Sequence, residues 1–183
     1  MKAGVRILSV ACAPLEGKRT LLFGIISRSG EIEGAISTKV AVDGTDSTGR
    51  LIKMLKGTRF AEQVRILALN GVGVAGLNIL DIKKFEKSTC AKVISVTRKK
   101  PRPPELVKAL TSFSSATGAD TRERVRIVEE IGEMNRYRIN GFFFQTGLAR
   151  RDAEKFAVEV IRQVRLAHII ASGLGAGESS GAI

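Results

Sequence analysis

The chain is poor in several residue types that give a sequence an early signature. Its 183 residues contain no Trp, one Tyr, one His, four Pro and two Cys. Cys12 and Cys90 stand in separate apolar stretches without metal-ligand spacing, which argues against a cysteine-based metal site. They are expected as buried free thiols, compatible with a reducing compartment. No apolar run approaches the roughly 20 residues of a membrane span. Met1 to Arg6 lead into only a short apolar run, so no secretion signal is expected and a cytoplasmic location is.

Acidic residues are scarce too: 18 Asp and Glu face 30 Lys and Arg, a net charge of +12. Such a surplus favours polyanions and weakens with salt. Because the charge is also locally clustered, a nucleic-acid partner is preferred over a merely basic surface. The length suits one ordinary domain, taken as residues 1–183.

Arg6 to Cys12 is almost wholly apolar, as a strand buried on both faces is. Thr20 to Ser27 is a second apolar run, and Ser29-Gly30 turns the chain into Glu31 to Val42. These predict an antiparallel meander closed by Asp43-Gly44-Thr45-Asp46. Asp46 reads as the N-cap of a helix carrying Leu51, Ile52 and Leu55 and ending at Gly57. Val64 to Leu69 and Lys92 to Thr97 are further strands. Between them lie a Gly-rich segment, Asn70 to Asn78, and a short helix within Ile79 to Lys87. Pro104 suits the first turn of a helix through Leu110. Ser112 to Gly118 reads as loop, Thr121 to Met134 as an exposed helix, and Arg138 to Gln145 as a strand. A long helix from about Arg151 carries Phe156, Val160, Val164, Ala167 and Ala171 on one face. The sum is a mixed sheet covered by helices, and a ribonuclease-H-like arrangement is one of many folds that fit it.

Specific blocks carry a resemblance. They are Gly34 to Thr38 with Val42 to Thr48, Val74 to Asp81, Val93 to Pro101, and Arg165-Leu166-Ala167-His168 with Gly177 to Gly181. In this order, over nearly the whole chain, they resemble the archaeal endonuclease dU family, relatives of endonuclease V. The resemblance implies α/β architecture, a ribonuclease-H-like mixed sheet flanked by helices, and phosphodiester hydrolysis with Mg²⁺ held by carboxylates at strand ends. It also implies DNA containing deoxyuridine as substrate, hence a role in DNA repair. The chain departs from the family where the first strand ends in Ala11-Cys12-Ala13-Pro14 instead of an Asp pair, and where Leu69-Asn70-Gly71 replaces Leu-Asp-Gly. Ala11 offers no ligand, Cys12 is a soft donor and Asn70 a neutral one. The chain also lacks a Pro-Glu-Pro turn before Arg165.

Three acids remain as candidates, each with a structural alternative. Asp43 is a metal ligand or a turn residue, Asp46 a site residue or a helix cap, and Asp81 a site residue or a structural one. His168 is a candidate catalytic residue or a packed helix residue. Arg98, Lys99, Lys100 and Arg102, at the exit of a central strand, are candidate phosphate contacts, joined by Arg165. Gly71, Gly73 and Gly76 lack the Lys-Ser or Lys-Thr pair of a P-loop, and are read instead as close backbone approach to a polynucleotide, with Gly71 the candidate contact, or as tight packing. Arg122, Arg124 and Arg126 alternate with Glu123, Glu129 and Glu130 and read as helix-surface pairs. One of Phe142, Phe143 and Phe144 is a candidate base-stacking surface or, equally, all three are buried in the sheet. Glu178, Ser179 and Ser180 make a polar cluster or a frayed end.

These readings converge on a DNA- or RNA-binding, diverged endonuclease dU homologue with metal-dependent cleavage reduced or lost, without membrane association. No cofactor is expected unless the chain is active, when Mg²⁺ would serve. The alternatives are an active Mg²⁺-dependent endonuclease on deoxyuridine- or deaminated-base-containing DNA that uses Asp43, Asp46 and other acids in a rearranged site, and a regulatory partner of an active paralogue. A homo-oligomer is compatible with each.

Overall fold

A computed structural model describes residues 4–179. Its elements run β1 (Arg6–Cys12), β2 (Arg19–Arg28), β3 (Glu31–Ala41), α1 (Ser47–Lys56), β4 (Val64–Asn70), β5 (Gly73–Ala75), β6 (Asn78–Ile79), α2 (Ile82–Ser88), β7 (Lys92–Thr97), α3 (Pro103–Thr117), α4 (Arg122–Gly132), β8 (Asn135–Ile139), β9 (Phe142–Thr146) and α5 (Arg150–Ala176). The seven-stranded sheet has the order β3-β2-β1-β4-β7-β9-β8. Its centre, β1-β4-β7, is parallel; β2 and β3 extend it antiparallel on one side, β9 and β8 on the other.

The central strands are continuously apolar because helices cover both faces. Leu8, Val10, Leu67, Leu69 and Val93 pack with Leu51 and Leu55 of α1, Phe85 of α2, Leu110 of α3 and Ile127, Val128 and Ile131 of α4. The alternate residues Ile7, Ile66, Ala68, Ile94 and Val96 pack with Phe156, Ala157, Val160 and Val164 of α5. At 27 residues, α5 spans about 40 Å and carries His168 toward the sheet edge where β1 and β4 end. Among the described residues no helix is long and apolar enough to cross a membrane.

The opening meander is as expected, and several local readings are corrected. Arg138 to Gln145 is not one strand but the hairpin β8–β9, turned by Asn140 and Gly141, both at positive φ (51° and 82°). The Gly-rich segment forms the β5–β6 hairpin. Helix α3 continues through Ser112 to Thr117, and the hydroxyls of Ser115 and Thr117 donate to carbonyls one turn back (3.1 and 2.7 Å) instead of breaking it. Gly118, at φ 73°, then ends it. Helix α4 is half-buried, not exposed. Cys12 is partly buried, whereas Cys90 is exposed in the polar link between α2 and β7.

Candidate functional site

Parallel pairing of β1 with β4 sets Val10 beside Leu69, so Ala11 and Asn70 follow at adjacent strand ends. These two residues, Cys12 and His168 line one cavity of about 100 Å³, with Val10, Leu22, Leu69, Gly73 and Val74 completing it. The positions that the resemblance singles out as degenerate are therefore brought together with the only histidine. The lining contains no carboxylate. Burial pushes the Cys12 thiol up to about 12, so it is neutral at ordinary pH. A hard divalent cation needs several oxygen ligands, mostly charged, and Asn70 supplies the only side-chain oxygen in this wall. The donor set does not fit Mg²⁺. Among the described residues no cluster of three or more His, Cys, Asp or Glu could hold a metal.

The three candidate acids are each held by protein partners. Asp43, at φ 54°, accepts the Leu77 N–H at 2.7 Å and donates its own N–H to the Ala75 carbonyl at 3.0 Å. It thereby fastens the β3–α1 turn to the β5–β6 hairpin. Gly76 must lack a side chain there, because a Cβ would collide with the Asp43 carboxylate. Asp46 holds the N-cap position of α1, but its side chain makes no capping bond. Its Oδ1 instead accepts from the Ala41 N–H (3.0 Å) and Asn78 Nδ2 (2.9 Å), while its Oδ2 takes Arg50 Nε (3.3 Å) and faces Arg19 at 3.6 Å. Burial alone would raise this carboxyl; the bonds from Ala41, Asn78 and Arg50 and the charge of Arg19 outweigh it and hold the pKa below the usual value. The open Ser47 N–H of α1 is capped from outside by Asn78 Oδ1 at 3.1 Å. Asp81 caps α2 through the Lys84 N–H at 2.9 Å. Neither Asp43 nor Asp46 lines the cavity at Ala11, Asn70 and His168.

Because β1, β4 and β7 are parallel, the basic exit of β7 lies on the same sheet edge as that cavity. Arg98, Lys99 and Lys100 are exposed and have no carboxylate partner among the described residues, whereas Arg102 pairs with Glu105 at 2.7 Å. Gly71, at φ 76°, follows Asn70 on this edge. Arg165 is exposed on α5, three residues before His168. Phe144 is fully buried, but Phe142 and Phe143 are half-buried, with Arg98 over the first ring at 5.8 Å and Arg138 over the second at 5.9 Å. Glu178 is exposed, while Ser180 and Gly181 lie outside the described residues.

One residue was misread in the sequence. Arg124 is not a surface partner of the α4 glutamates: it is 4% exposed, and its Nη1 donates to the Asp43 and Leu77 carbonyls at 2.8 and 3.2 Å. The signal was available, because Arg124 precedes Ile127, Val128 and Ile131 at helical spacing and so shares the apolar face of α4.

Comparison with known proteins agrees with this architecture. The family description "Endonuclease dU" matches residues 3–175. A UPF0215 protein of Methanothermobacter thermautotrophicus is 34% identical, over 99% of this chain and 93% of its own length. Another from Methanopyrus kandleri is 32% identical, over 90% of this chain and 87% of its own. A crystal structure of an Archaeoglobus fulgidus protein of unknown function superposes with a TM-score of 0.79 at 28% identity, covering 94% of this chain and 98% of that one. Human endonuclease V shares the fold, with a TM-score of 0.50 at 13% identity over 89% of this chain and 82% of its own. The chain belongs to the endonuclease dU family and has a ribonuclease-H-like mixed α/β fold of the endonuclease V type.

Proposed function

We propose that this protein binds nucleic acid along the sheet edge where β1, β4 and β7 end, with the metal-dependent phosphodiester cleavage of its family reduced or lost. One observation carries the reading: the lining of the cavity joining Ala11, Cys12, Asn70 and His168 has no carboxylate, while the neighbouring exit of β7 presents cations with no carboxylate partner among the described residues. Arg98, Lys99 and Lys100 hold the phosphodiester backbone as charges in water, which gives affinity with little sequence preference. Gly71, without a side chain, lets the strand come close to Asn70. Phe142 and Phe143, each lidded by an arginine, offer stacking planes for unpaired bases. His168 lines the cavity together with a neutral thiol and an amide, and that wall holds no acid to organise a hydrolytic centre.

Anisotropy titration of a labelled uracil-containing oligonucleotide across a salt series tests this reading. Affinity should fall linearly on a log–log plot, with a slope of about −0.7 to −0.9 per phosphate neutralised. Salt-insensitive or absent binding would refute the nucleic-acid reading and favour a protein partner.

A further inference from the structure

A second cavity, of about 460 Å³, shares no lining residue with the strand-end cavity. It lies between α1, α2 and α4, and its wall includes the first turn of α1 (Thr48, Gly49), Lys53, Lys84 and Arg124. Its volume is in the range of small-molecule sites, roughly 300–1,000 Å³.

The charges of this wall do not cancel locally. Asp46 is engaged by Ala41, Asn78, Arg50 and Arg19, as described above. Asp81 accepts from the Lys84 N–H, and Glu123 is paired with Arg126 at 2.7 Å. Asp46 and Glu123 are thus ion-paired, with the field of Lys84 also reaching Glu123, whereas Asp81 holds only a backbone N–H, so the wall carries four cations against three carboxylates. The ammonium groups of Lys53 and Lys84 are exposed and form no ion pair among the described residues. Asn78 caps the Ser47 N–H, but the N–H groups of Thr48 and Gly49 have no acceptor among the described residues. Such groups, at the positive end of a helix dipole, favour an anion.

Arg124 is the independent observation. Its guanidinium is almost wholly buried and has no carboxylate within ion-pair distance among the described residues; Nη1 donates to the Asp43 and Leu77 carbonyls, but Nε has no hydrogen-bond partner among those residues. One face lies 5.3 Å from the Phe113 ring, and Asp120, whose field it feels, is held by Arg122 at 2.7 Å. A buried charge left without a counter-charge is costly.

We infer that this pocket binds a phosphate monoester, with Arg124 supplying the buried charge, Lys53 and Lys84 the rim, and the Thr48 and Gly49 N–H groups the directional donors. Anion binding stands on this wall alone; only the identification of the phosphate's source as a nucleic-acid strand end rests on the proposed function.

The test is titration of inorganic phosphate into the protein by calorimetry, at ionic strength held constant with chloride. Wild-type protein should bind phosphate, and Lys53→Ala/Lys84→Ala should weaken it about tenfold, the loss expected for charge-assisted contacts. Arg124→Gln should abolish binding, but that variant risks misfolding, so the exposed lysine pair carries the test. No phosphate binding, or binding unchanged in the lysine variant, overturns the inference. The same variant should keep salt-dependent oligonucleotide binding, whereas Lys99→Ala/Lys100→Ala should lose part of it and keep phosphate binding, so the two readings fail separately. Displacement of phosphate by a 5′-phosphorylated but not a 5′-hydroxyl oligonucleotide assigns the source to strand ends. Displacement by neither assigns the pocket to free phosphate compounds.

Discussion

The two cavities invert each other. At the ends of β1 and β4, where the resemblance implies a cluster of carboxylates, the wall is Ala11, a neutral Cys12 thiol, Asn70 and His168. Between α1 and α4, where the sequence suggested only surface pairs, a guanidinium is buried beside two lysines, and none of the three has an ion-pair partner among the described residues. The first region lacks the carboxylates that would recruit a cation, and the second holds cations of the kind that suit an anion. On the proposed function, the difference teaches that metal ligation and phosphate contact rest on different parts of the molecule. Metal ligation depends on two or three side chains, but phosphate contact is spread over exposed cations and backbone that the fold holds for its own reasons.

The largest expected effect tests the first region. Ala11→Asp/Asn70→Asp should raise Mg²⁺ affinity by on the order of a hundredfold or more, because each unit charge near 4 Å is worth several kcal/mol before desolvation. Calorimetry that shows unchanged Mg²⁺ affinity would mean that these strand ends are not the mapped site. Next, Arg98→Ala/Lys99→Ala/Lys100→Ala should reduce the steepness of the salt dependence of oligonucleotide binding by about 2 to 3 in log–log slope. An unchanged slope would place the contacts elsewhere.

A smaller effect separates the acids from the site. Asp43→Ala should cost about 1.5–3 kcal/mol of stability by removing the carboxylate that accepts the Leu77 N–H, read as a lower denaturant midpoint. It should leave Mg²⁺ affinity unaltered; a fall in that affinity would make Asp43 a ligand after all. The smallest effect is a pH dependence. The folded-state pKa of Asp46 lies below its ordinary 3.8, so its contribution to stability is present above that value and is lost as pH falls through the folded pKa. Asp46→Asn should flatten the acid limb of the stability curve, and an unchanged limb would show that these bonds carry no linkage.

Legibility in the sequence followed how local each cause is. β1, β4 and β7 were legible because their apolar runs record burial on both faces, and the Ser29-Gly30 turn fixed the β2–β3 hairpin. Asn140-Gly141 carried an equally local hairpin signal, but the run of three phenylalanines around it was read as one strand. Ser112 to Thr117 looked like a loop because serine and threonine compete with the helix backbone; here their hydroxyls bond within the helix instead. The capping of α1 could not be read locally, because Asn78 reaches Ser47 from 31 positions away. Ala11, Cys12 and Asn70 were identified from the resemblance, but their meeting with His168 needed the full length of α5. Arg124 was the reverse case: local spacing placed it on the apolar face, and its charge drew the reading to the surface.

The most direct test of binding without cutting is incubation of purified protein with a labelled uracil-containing oligonucleotide, in Mg²⁺, Mn²⁺ or EDTA and across a salt series. The account predicts salt-dependent binding in all three conditions and at most slow strand cleavage, incomplete when most of the substrate is bound. Cleavage in Mg²⁺ that consumes the bound substrate rapidly and disappears in EDTA would contradict it.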